Sequence, residues 1–222
     1  QATTRLRVGV LVTGIHYRHP AVLANMASAL DIISAGRLEL GIGAGWNEEE
    51  SGAYGIELGT LKERFDRFEE ACQVLISLLS QETTDFDGVY YRLKSARNEP
   101  KGPQRPHPPI CIGGSGEKRT LRITAKYADH WNFVGGPPEE FARKRDVLAA
   151  HCADVCRDPR EIRLSAHVRL GEDGDCRKVV DEAAALASEG LDLAIVYLPT
   201  PHTPAVLEPL AEAIRDSGLP AR

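Results

Sequence analysis

Glycine-rich segments follow apolar runs at three places in this sequence, and each could hold a ligand. They read GIGAGWNEEE over residues 41–50, GGSG over 113–116 and VGGPP over 134–138. Glycine lets the backbone approach a flat ring or a sugar chain closely. The GGSG segment carries a second signal, because a helix is predicted to follow it and amides at a helix N-terminus bind phosphate. An ordinary turn from strand to helix is the alternative interpretation of each segment.

Polar and aromatic side chains accompany these segments. Trp46 could form one wall of a pocket, and Asn132 could hydrogen-bond a ring amide or a ribityl hydroxyl. His16 follows the apolar run RLRVGVLVTG, and a histidine at the end of a strand could act as an acid or a base near neutral pH. The alternatives are a packing or capping role for Asn132 and a water-exposed loop position for His16.

Composition argues against several classes of function. The 222 residues carry a net charge of −5, with 27 Lys and Arg interleaved with 32 Asp and Glu, so we expect no nucleic-acid partner. No apolar run reaches the roughly 20 residues that span a bilayer, and the first residues lack the apolar core of a secretory signal. We therefore expect a cytoplasmic protein without a membrane partner. The five cysteines are scattered and odd in number, which predicts reduced thiols and no metal site.

Apolar runs alternate with amphipathic stretches along the chain, which predicts a parallel sheet with crossover helices. The predicted strands are Leu6 to Val12, Leu38 to Ile42, Pro109 to Ile112, His130 to Val134, Ile162 to Val168 and Leu193 to Tyr197. The predicted helices are Pro20 to Ser34, Leu61 to Leu79, Glu117 to Tyr127, Pro138 to Cys156, Arg177 to Glu189 and Thr203 to Asp216. Residues 83–108 contain an Asp-Gly turn flanked by aromatic residues, which predicts a β-hairpin insertion over one mouth of a barrel.

Six predicted strands fall two βα units short of an eight-stranded barrel, whose usual length is about 250 residues. An open six-stranded sheet would leave two apolar edges unpaired, which closed barrels avoid. We therefore expect one α/β domain over residues 1–222, a (β/α)₈ TIM barrel that lacks its first two βα units. A two-layer sheet of the Rossmann or flavodoxin kind is the second choice.

Several segments together resemble the luciferase-like monooxygenase family, and within it the branch of probable F420-dependent oxidoreductases. They are TGIHYRHPAVLANMASALDIISAGRLELGIGAGWNEEE, LKERFDRFEEACQVL, FDGVYYRL, RPHPPICIGGSGEKRTLRITAKYADHWN and GGPPEEF. The resemblance runs over essentially the whole chain and implies a luciferase-like barrel. It implies a cofactor, the deazaflavin coenzyme F420 or alternatively FMN. The family's first two strands have no counterpart here.

The resemblance also implies roles for individual residues. The cofactor ring is expected over a strand end, often beside a non-proline cis peptide, which would fall at Val10-Leu11 or Leu11-Val12. The positions implied for the ring are Val10, Leu11, Val12 and Thr13. Those for the phosphate or its linker are Gly113, Gly114, Ser115 and Gly116. Those for the loop beside the cofactor are Gly43, Ala44, Gly45, Trp46 and Glu49.

The leading functional hypothesis is hydride transfer between reduced F420 and a small organic substrate, with His16 as the candidate catalytic residue. The protein's share would be positioning and electrostatics. One alternative is an FMN-dependent monooxygenase that uses reduced flavin and oxygen. A second is a non-catalytic flavin-binding module. A homodimer formed through exposed barrel helices is expected by analogy with the family.

Overall fold

Residues 3–218 are described by a computed structural model, and parallel strands alternate with helices along them. The strands are β1 (Val8–Gly9), β2 (Thr13–Gly14), β3 (Leu38–Gly43), β4 (Thr84–Asp87), β5 (Arg92–Ala96), β6 (Ile110–Gly113), β7 (His130–Phe133), β8 (Arg163–Arg169) and β9 (Leu193–Tyr197). The α-helices are α1 (Pro20–Ile33), α2 (Glu48–Ala53), α3 (Leu61–Ser80), α4 (Thr120–Tyr127), α5 (Pro138–Asp154), α6 (Cys176–Ser188) and α7 (Leu207–Ser217). Short 3₁₀ turns lie at Ile15–Tyr17, Pro159–Glu161 and Pro204–Val206.

One parallel sheet runs in the order β1, β3, β6, β7, β8, β9, and β2 also pairs with β3. The sheet curls as half of a barrel, and within residues 3–218 its first and last strands do not pair with each other. Because all of these strands run in the same direction, their carboxyl ends share one rim, where ligands bind in such sheets. The strands β4 and β5 form a separate antiparallel hairpin.

Local sequence signals account for the longest helix, α3. Thr60 caps its N-terminus and forms a capping box with Glu63, each side chain bonding the other's backbone amide. Buried residues recur along one face, and Phe68, Leu75 and Leu78 are each 2% exposed or less. Burying such a side chain contributes about 1.5–3 kcal/mol. The helix therefore forms part of the core and holds the adjacent strands in place.

Among the described residues, helices pack against the outer face of the sheet. Alternate strand residues such as Leu40, Ile42 and Ile112 point outward into a core with α1 and α3. On the other half of the sheet, Trp131 stacks on Phe141 with ring centroids 5.8 Å apart. The inner face carries glycines and polar side chains instead.

Four local differences separate the prediction from the structure, and one is that α7 begins at Leu207 rather than at Thr203, after a 3₁₀ turn. The predicted strand from Leu6 to Val12 is wrong in extent: β1 and β2 are short, because the chain between them leaves the sheet and packs over β3. Helix α4 begins at Thr120 rather than at Glu117, since residues 117–119 form turns first. Helix α2 was not predicted, although Asn47 caps it through the Glu50 amide.

The β4–β5 hairpin packs along α3 rather than over a mouth of the barrel. Glu70 of α3 accepts hydrogen bonds from the amides of Val89, Tyr90 and Tyr91 at the hairpin tip, over 2.8–3.1 Å. The connector after the hairpin reaches the first residue of β3, where Gln104 Nε2 donates to the Leu38 carbonyl oxygen over 2.8 Å. The insertion therefore runs beside α3 from the first residue of β3 to Tyr91, whose ring contacts that of His19 at the start of α1.

Candidate active site

A cavity of about 800 Å³ opens where the carboxyl ends of the strands meet. It is bounded by the segment before β2, by the loop after β3, and by the ends of β6, β7, β8 and β9. Aromatic residues Phe65 and Phe68 of α3 close one side. This volume lies in the range of cofactor and substrate sites.

A bulge of the chain from Val10 to Val12 forms one wall of the cavity. It packs onto glycines of β3: a Cβ at Gly41 would lie 1.9 Å from the Val10 carbonyl oxygen, and one at Gly43 would lie 2.9 Å from Val12 Cγ2. The Leu11-Val12 peptide is cis, which confirms the expectation from the resemblance. Because no side chain fits at position 41, this wall consists of backbone and small aliphatic groups. Such a surface suits a flat ring.

The ring of His16 lies between two glycines at the edge of the cavity. A Cβ at Gly45 would lie 2.5 Å from His16 Nδ1, and Gly45 also has a φ of +87°, so both space and backbone conformation require glycine there. His16 Nε2 is 3.3 Å from Ser51 Oγ, while Nδ1 is buried with no partner among residues 3–218. Burial lowers the pKa of His16, and the nearby Glu50 partly offsets this. The imidazole is therefore predominantly neutral at pH 7.

Two further polar side chains enter the cavity from neighbouring strands. Asn132 on β7 is 1% exposed, and its Nδ2 donates to Ser165 Oγ over 2.9 Å. His167 on β8 has a buried Nε2 with no partner among the described residues. Burial, and after it the charge of Arg169, lowers the pKa of His167. Since unpaired buried polar atoms are rare, both histidines are candidate ligand contacts.

The GGSG loop joins β6 to the first turn of α4. Gly113 and Gly114 line the cavity. The Gly114 carbonyl oxygen accepts a hydrogen bond from Trp131 Nε1 over 2.8 Å, which fixes the loop to the core. Ser115 Oγ is buried without a partner in the described part of the chain. A free hydroxyl before a helix is the kind of donor that an anion recruits.

The sequence profile described as luciferase-like monooxygenase matches residues 1–215 of this chain. The chain belongs to the luciferase-like monooxygenase family.

Named relatives of this luciferase-like chain are enzymes. It is 34% identical over 183 residues to the phthiodiolone/phenolphthiodiolone dimycocerosates ketoreductase of Mycobacterium tuberculosis, covering 81% of this chain and 46% of that protein. It is 31% identical over 194 residues to the pyrimidine monooxygenase RutA of Methylobacterium radiotolerans, covering 78% of this chain and 50% of that protein. The chain thus spans about half the length of the curated relatives that it matches.

A solved structure supports the fold assignment of the luciferase-like chain. The F420-dependent secondary alcohol dehydrogenase in complex with an F420-acetone adduct has a TM-score of 0.85 and 17% sequence identity, covering 97% of this chain and 81% of that one. At that identity the likeness shows the fold. It confirms the luciferase-like TIM-barrel architecture over the two-layer alternative.

The structure brings most of the predicted site residues together. The cavity lining includes His16, Leu11, Val12, Gly43, Ala44, Gly45, Trp46, Gly113, Gly114 and Asn132. Five others lie beside it without lining it: Val10 and Thr13 in or next to the bulge, the exposed Glu49 on α2, and Ser115 and Gly116 in the GGSG loop. In place of Glu49, its neighbour Glu50 faces the cavity and accepts a hydrogen bond from the Tyr17 hydroxyl.

Sequence reasoning missed the contribution of β8. Polar and apolar residues alternate along it, with Ser165, His167 and Arg169 on one face and Ala166 and Val168 buried on the other. A period of two marks a strand with one polar face. That alternation was the signal that could have identified His167.

Within residues 3–218, no group of three or more His, Cys, Asp or Glu side chains is placed to hold a metal ion. In the same residues, no helix combines the length and apolarity that crossing a membrane requires.

Proposed function

We propose that this chain binds coenzyme F420 and takes part in hydride transfer between the deazaflavin and a small organic substrate. The observation that carries the proposal is the backbone wall formed where the Val10 to Val12 bulge packs onto Gly41, Gly43 and Gly113. A Cβ at any of these glycines would lie 1.9–3.3 Å from the bulge. The glycines therefore let the bulge pack closely on the sheet, beside a cavity of about 800 Å³.

Residues of the cavity fit the parts of such a cofactor. The bulge would lie against the ring, and the GGSG loop, with the unpaired Ser115 hydroxyl, would hold the phosphate or its linker. Asn132 offers an amide group to the ring edge. The β3 loop, from Gly43 to Trp46 and on to Glu49, would close over the other side.

When bound, a reduced deazaflavin supplies the hydride. Reduction of a carbonyl group to an alcohol consumes one proton and oxidation of the alcohol releases one, and we assign this transfer to His16 Nδ1, which has no partner among residues 3–218. Because its pKa is lowered, the neutral ring predominates and accepts the alcohol's proton in the oxidising direction, while the protonated minority form donates it in the reducing direction. The hydrogen bond to Glu50 raises the pKa of the Tyr17 hydroxyl, so Tyr17 stays protonated beside it. Phe65 and Phe68 give the same space an apolar side.

Two comparisons favour the deazaflavin and a carbonyl or alcohol substrate. The alcohol dehydrogenase with the TM-score of 0.85 is named for F420 and carries an F420-acetone adduct. The mycobacterial relative is named as a ketoreductase. The pyrimidine monooxygenase relative favours the second candidate, an FMN-dependent monooxygenase.

Titration with each cofactor distinguishes an F420-dependent enzyme from an FMN-dependent monooxygenase. We expect isothermal titration of the protein with F420 to give a dissociation constant at least tenfold lower than titration with FMN. Tighter binding of FMN, together with oxygen consumption when reduced FMN is supplied, would overturn the deazaflavin assignment. Binding of either ring without turnover of ketones, alcohols or oxygen would identify a non-catalytic flavin-binding module.

The predicted homodimer and cytoplasmic location belong to the same proposal. Helix α1 exposes four apolar residues spaced three or four apart, Val22, Met26, Leu30 and Ile33, each 43–62% exposed. A second copy of the chain would bury this stripe. We expect light scattering to show a dimer that Met26→Glu converts to a monomer, and a monomeric wild type would exclude it. The five free cysteines suit a reducing compartment.

A further inference from the structure

Four polar side chains, one half-buried and three buried, form a chain along the inner face that ends at the cavity. Glu39 Oε2 lies 3.3 Å from His130 Nδ1, and His130 Nε2 lies 2.7 Å from Ser165 Oγ. Ser165 Oγ lies 2.9 Å from Asn132 Nδ2. His130, Asn132 and Ser165 are at most 4% exposed. TIM-barrel interiors are usually filled by branched apolar residues, so this polar layer is a departure that calls for a role.

The Ser165 hydroxyl determines which way the Asn132 amide faces. A hydroxyl has one proton to donate, and its oxygen can also accept hydrogen bonds. If His130 Nε2 accepts that proton, Ser165 Oγ still accepts from Asn132 Nδ2. This arrangement is the one that Glu39 favours, because its carboxylate accepts from His130 Nδ1–H and leaves Nε2 of the neutral ring as an acceptor. The Ser165 proton is then donated to His130, and the Asn132 nitrogen is committed to Ser165.

The other end of the amide is therefore presented to the ligand. Asn132 lines the cavity, and within residues 3–218 its Oδ1 has no hydrogen-bond partner, while Nδ2 is held by Ser165. An amide oxygen accepts hydrogen bonds and donates none. A ligand that meets Asn132 must consequently offer an N–H or O–H group.

We propose that Ser165, held in place by His130 and Glu39, is a positioning residue that turns Asn132 Oδ1 toward the ligand and so selects a ring carrying an imide N–H. The inference rests on the proposed function only in requiring a flavin-type ring, since the pyrimidine ring of F420 and that of FMN both carry this group at N3. Glu39 anchors the chain from the other end, where Arg7 Nε pairs with it over 2.7 Å.

Ligands methylated at N3 test the proposal. Isothermal titration of the wild-type protein with F420, FMN and their N3-methyl derivatives should show at least tenfold weaker binding of the methylated form of the preferred ring. Ser165→Ala frees the Asn132 amide to turn, so we expect it to weaken binding of the N3–H ring at least fivefold. The affinity for the methylated ring should not change. Ser165→Thr, which keeps the hydroxyl, should retain the wild-type discrimination.

Cys111→Ala is the matched control, because Cys111 is a buried residue of the same inner face outside the cavity lining. It should leave the ratio of the two affinities unchanged, and thermal unfolding of every variant separates lost folding from lost selectivity. Equal binding of the two rings by the wild type would overturn the inference while leaving the proposed function standing. Equal weakening of both rings by Ser165→Ala would also overturn it, because that is the result of a purely structural role. A wild type that binds none of the rings would overturn both proposals.

Discussion

The two faces of the curled sheet are built from different residues, although they alternate along the same strands. On β7 the outward residues are Trp131 and Phe133, and the inward residues are His130 and Asn132. The outer face meets helices and is filled with aliphatic and aromatic side chains. The inner face has bare backbone at Gly41 and polar groups around the cavity.

This difference indicates which face provides stability and which face provides the ligand site. Apolar burial beneath the helices supplies most of the favourable free energy of folding. Unpaired polar atoms such as His16 Nδ1 and His167 Nε2 lower stability. Proteins retain such destabilising groups where ligands bind, so substitutions on the inner face should cost less stability than those in the outer core and should act on ligand binding as well.

The largest effect should come from the outer face. Trp131→Ala removes a fully buried ring that stacks on Phe141 and donates a hydrogen bond to Gly114. We expect the free energy of unfolding, measured with urea, to fall by about 3–5 kcal/mol. A loss below about 1 kcal/mol would contradict the assignment of the core to this face.

A methyl group on the inner face should act on ring binding as well as on stability. Gly41→Ala places a Cβ 1.9 Å from the Val10 carbonyl oxygen, so the bulge must move. We expect a loss of about 1–3 kcal/mol in stability and at least tenfold weaker F420 binding by titration. Gly52→Ala on α2 is the control, because its Cβ would meet no atom within 4 Å. Unchanged F420 affinity of Gly41→Ala would show that the bulge does not contact the ring.

The pairing of Glu39 with His130 should make the stability of the protein depend on pH in the acidic range. The hydrogen bond from His130 and the charges around it lower the pKa of Glu39 from 4.5 to about 2. The folded state therefore binds fewer protons than the unfolded state in that interval, so this contribution is complete above pH 4.5 and is lost as pH falls toward 2. We expect Glu39→Gln to cost about 2 kcal/mol at pH 7 and clearly less at pH 3. The exposed Glu182→Gln is the control, and a pH-independent cost would contradict the pairing.

The smallest stability effect should come from replacing a polar residue of the cavity. His167 has a lowered pKa, so protonation below its ordinary value of 6.5 favours the unfolded state, and stability declines as pH falls from there. We expect His167→Leu to change stability by less than about 1 kcal/mol at pH 7.5 and to be the more stable protein at pH 5.5. Urea unfolding at the two pH values measures this. If His167→Leu loses more stability at pH 5.5 than at pH 7.5, the sign of the argument is wrong.

Much of the fold follows from local sequence signals. The strand Leu193–Tyr197 was predicted with its observed bounds, and α3 ends one residue beyond its predicted end, because apolar periodicity and the Thr60 cap are both local. The GGSG loop was placed correctly between β6 and a helix for the same reason.

Features that depend on distant contacts were not predictable from local pattern. The interruption of the first strand depends on Gly41, some thirty positions away, which alone leaves room for the Val10 carbonyl oxygen. Its location was expected from family resemblance and not from spacing. The buried chain from Glu39 to Asn132 joins three strands, and only the register of the sheet brings those residues together.

The cavity has one tryptophan at its mouth and one behind its wall. Trp46 is 82% exposed and lines the opening, whereas Trp131 is fully buried and bonded to the Gly114 carbonyl oxygen. These are the two tryptophans of the sequence. Their emission therefore separates into a red component from the solvated indole and a blue component from the enclosed one. Binding of a light-absorbing ring at the mouth should therefore change the emission of Trp46, whereas a movement of the GGSG loop should change that of Trp131. Both changes can be followed in the unlabelled protein.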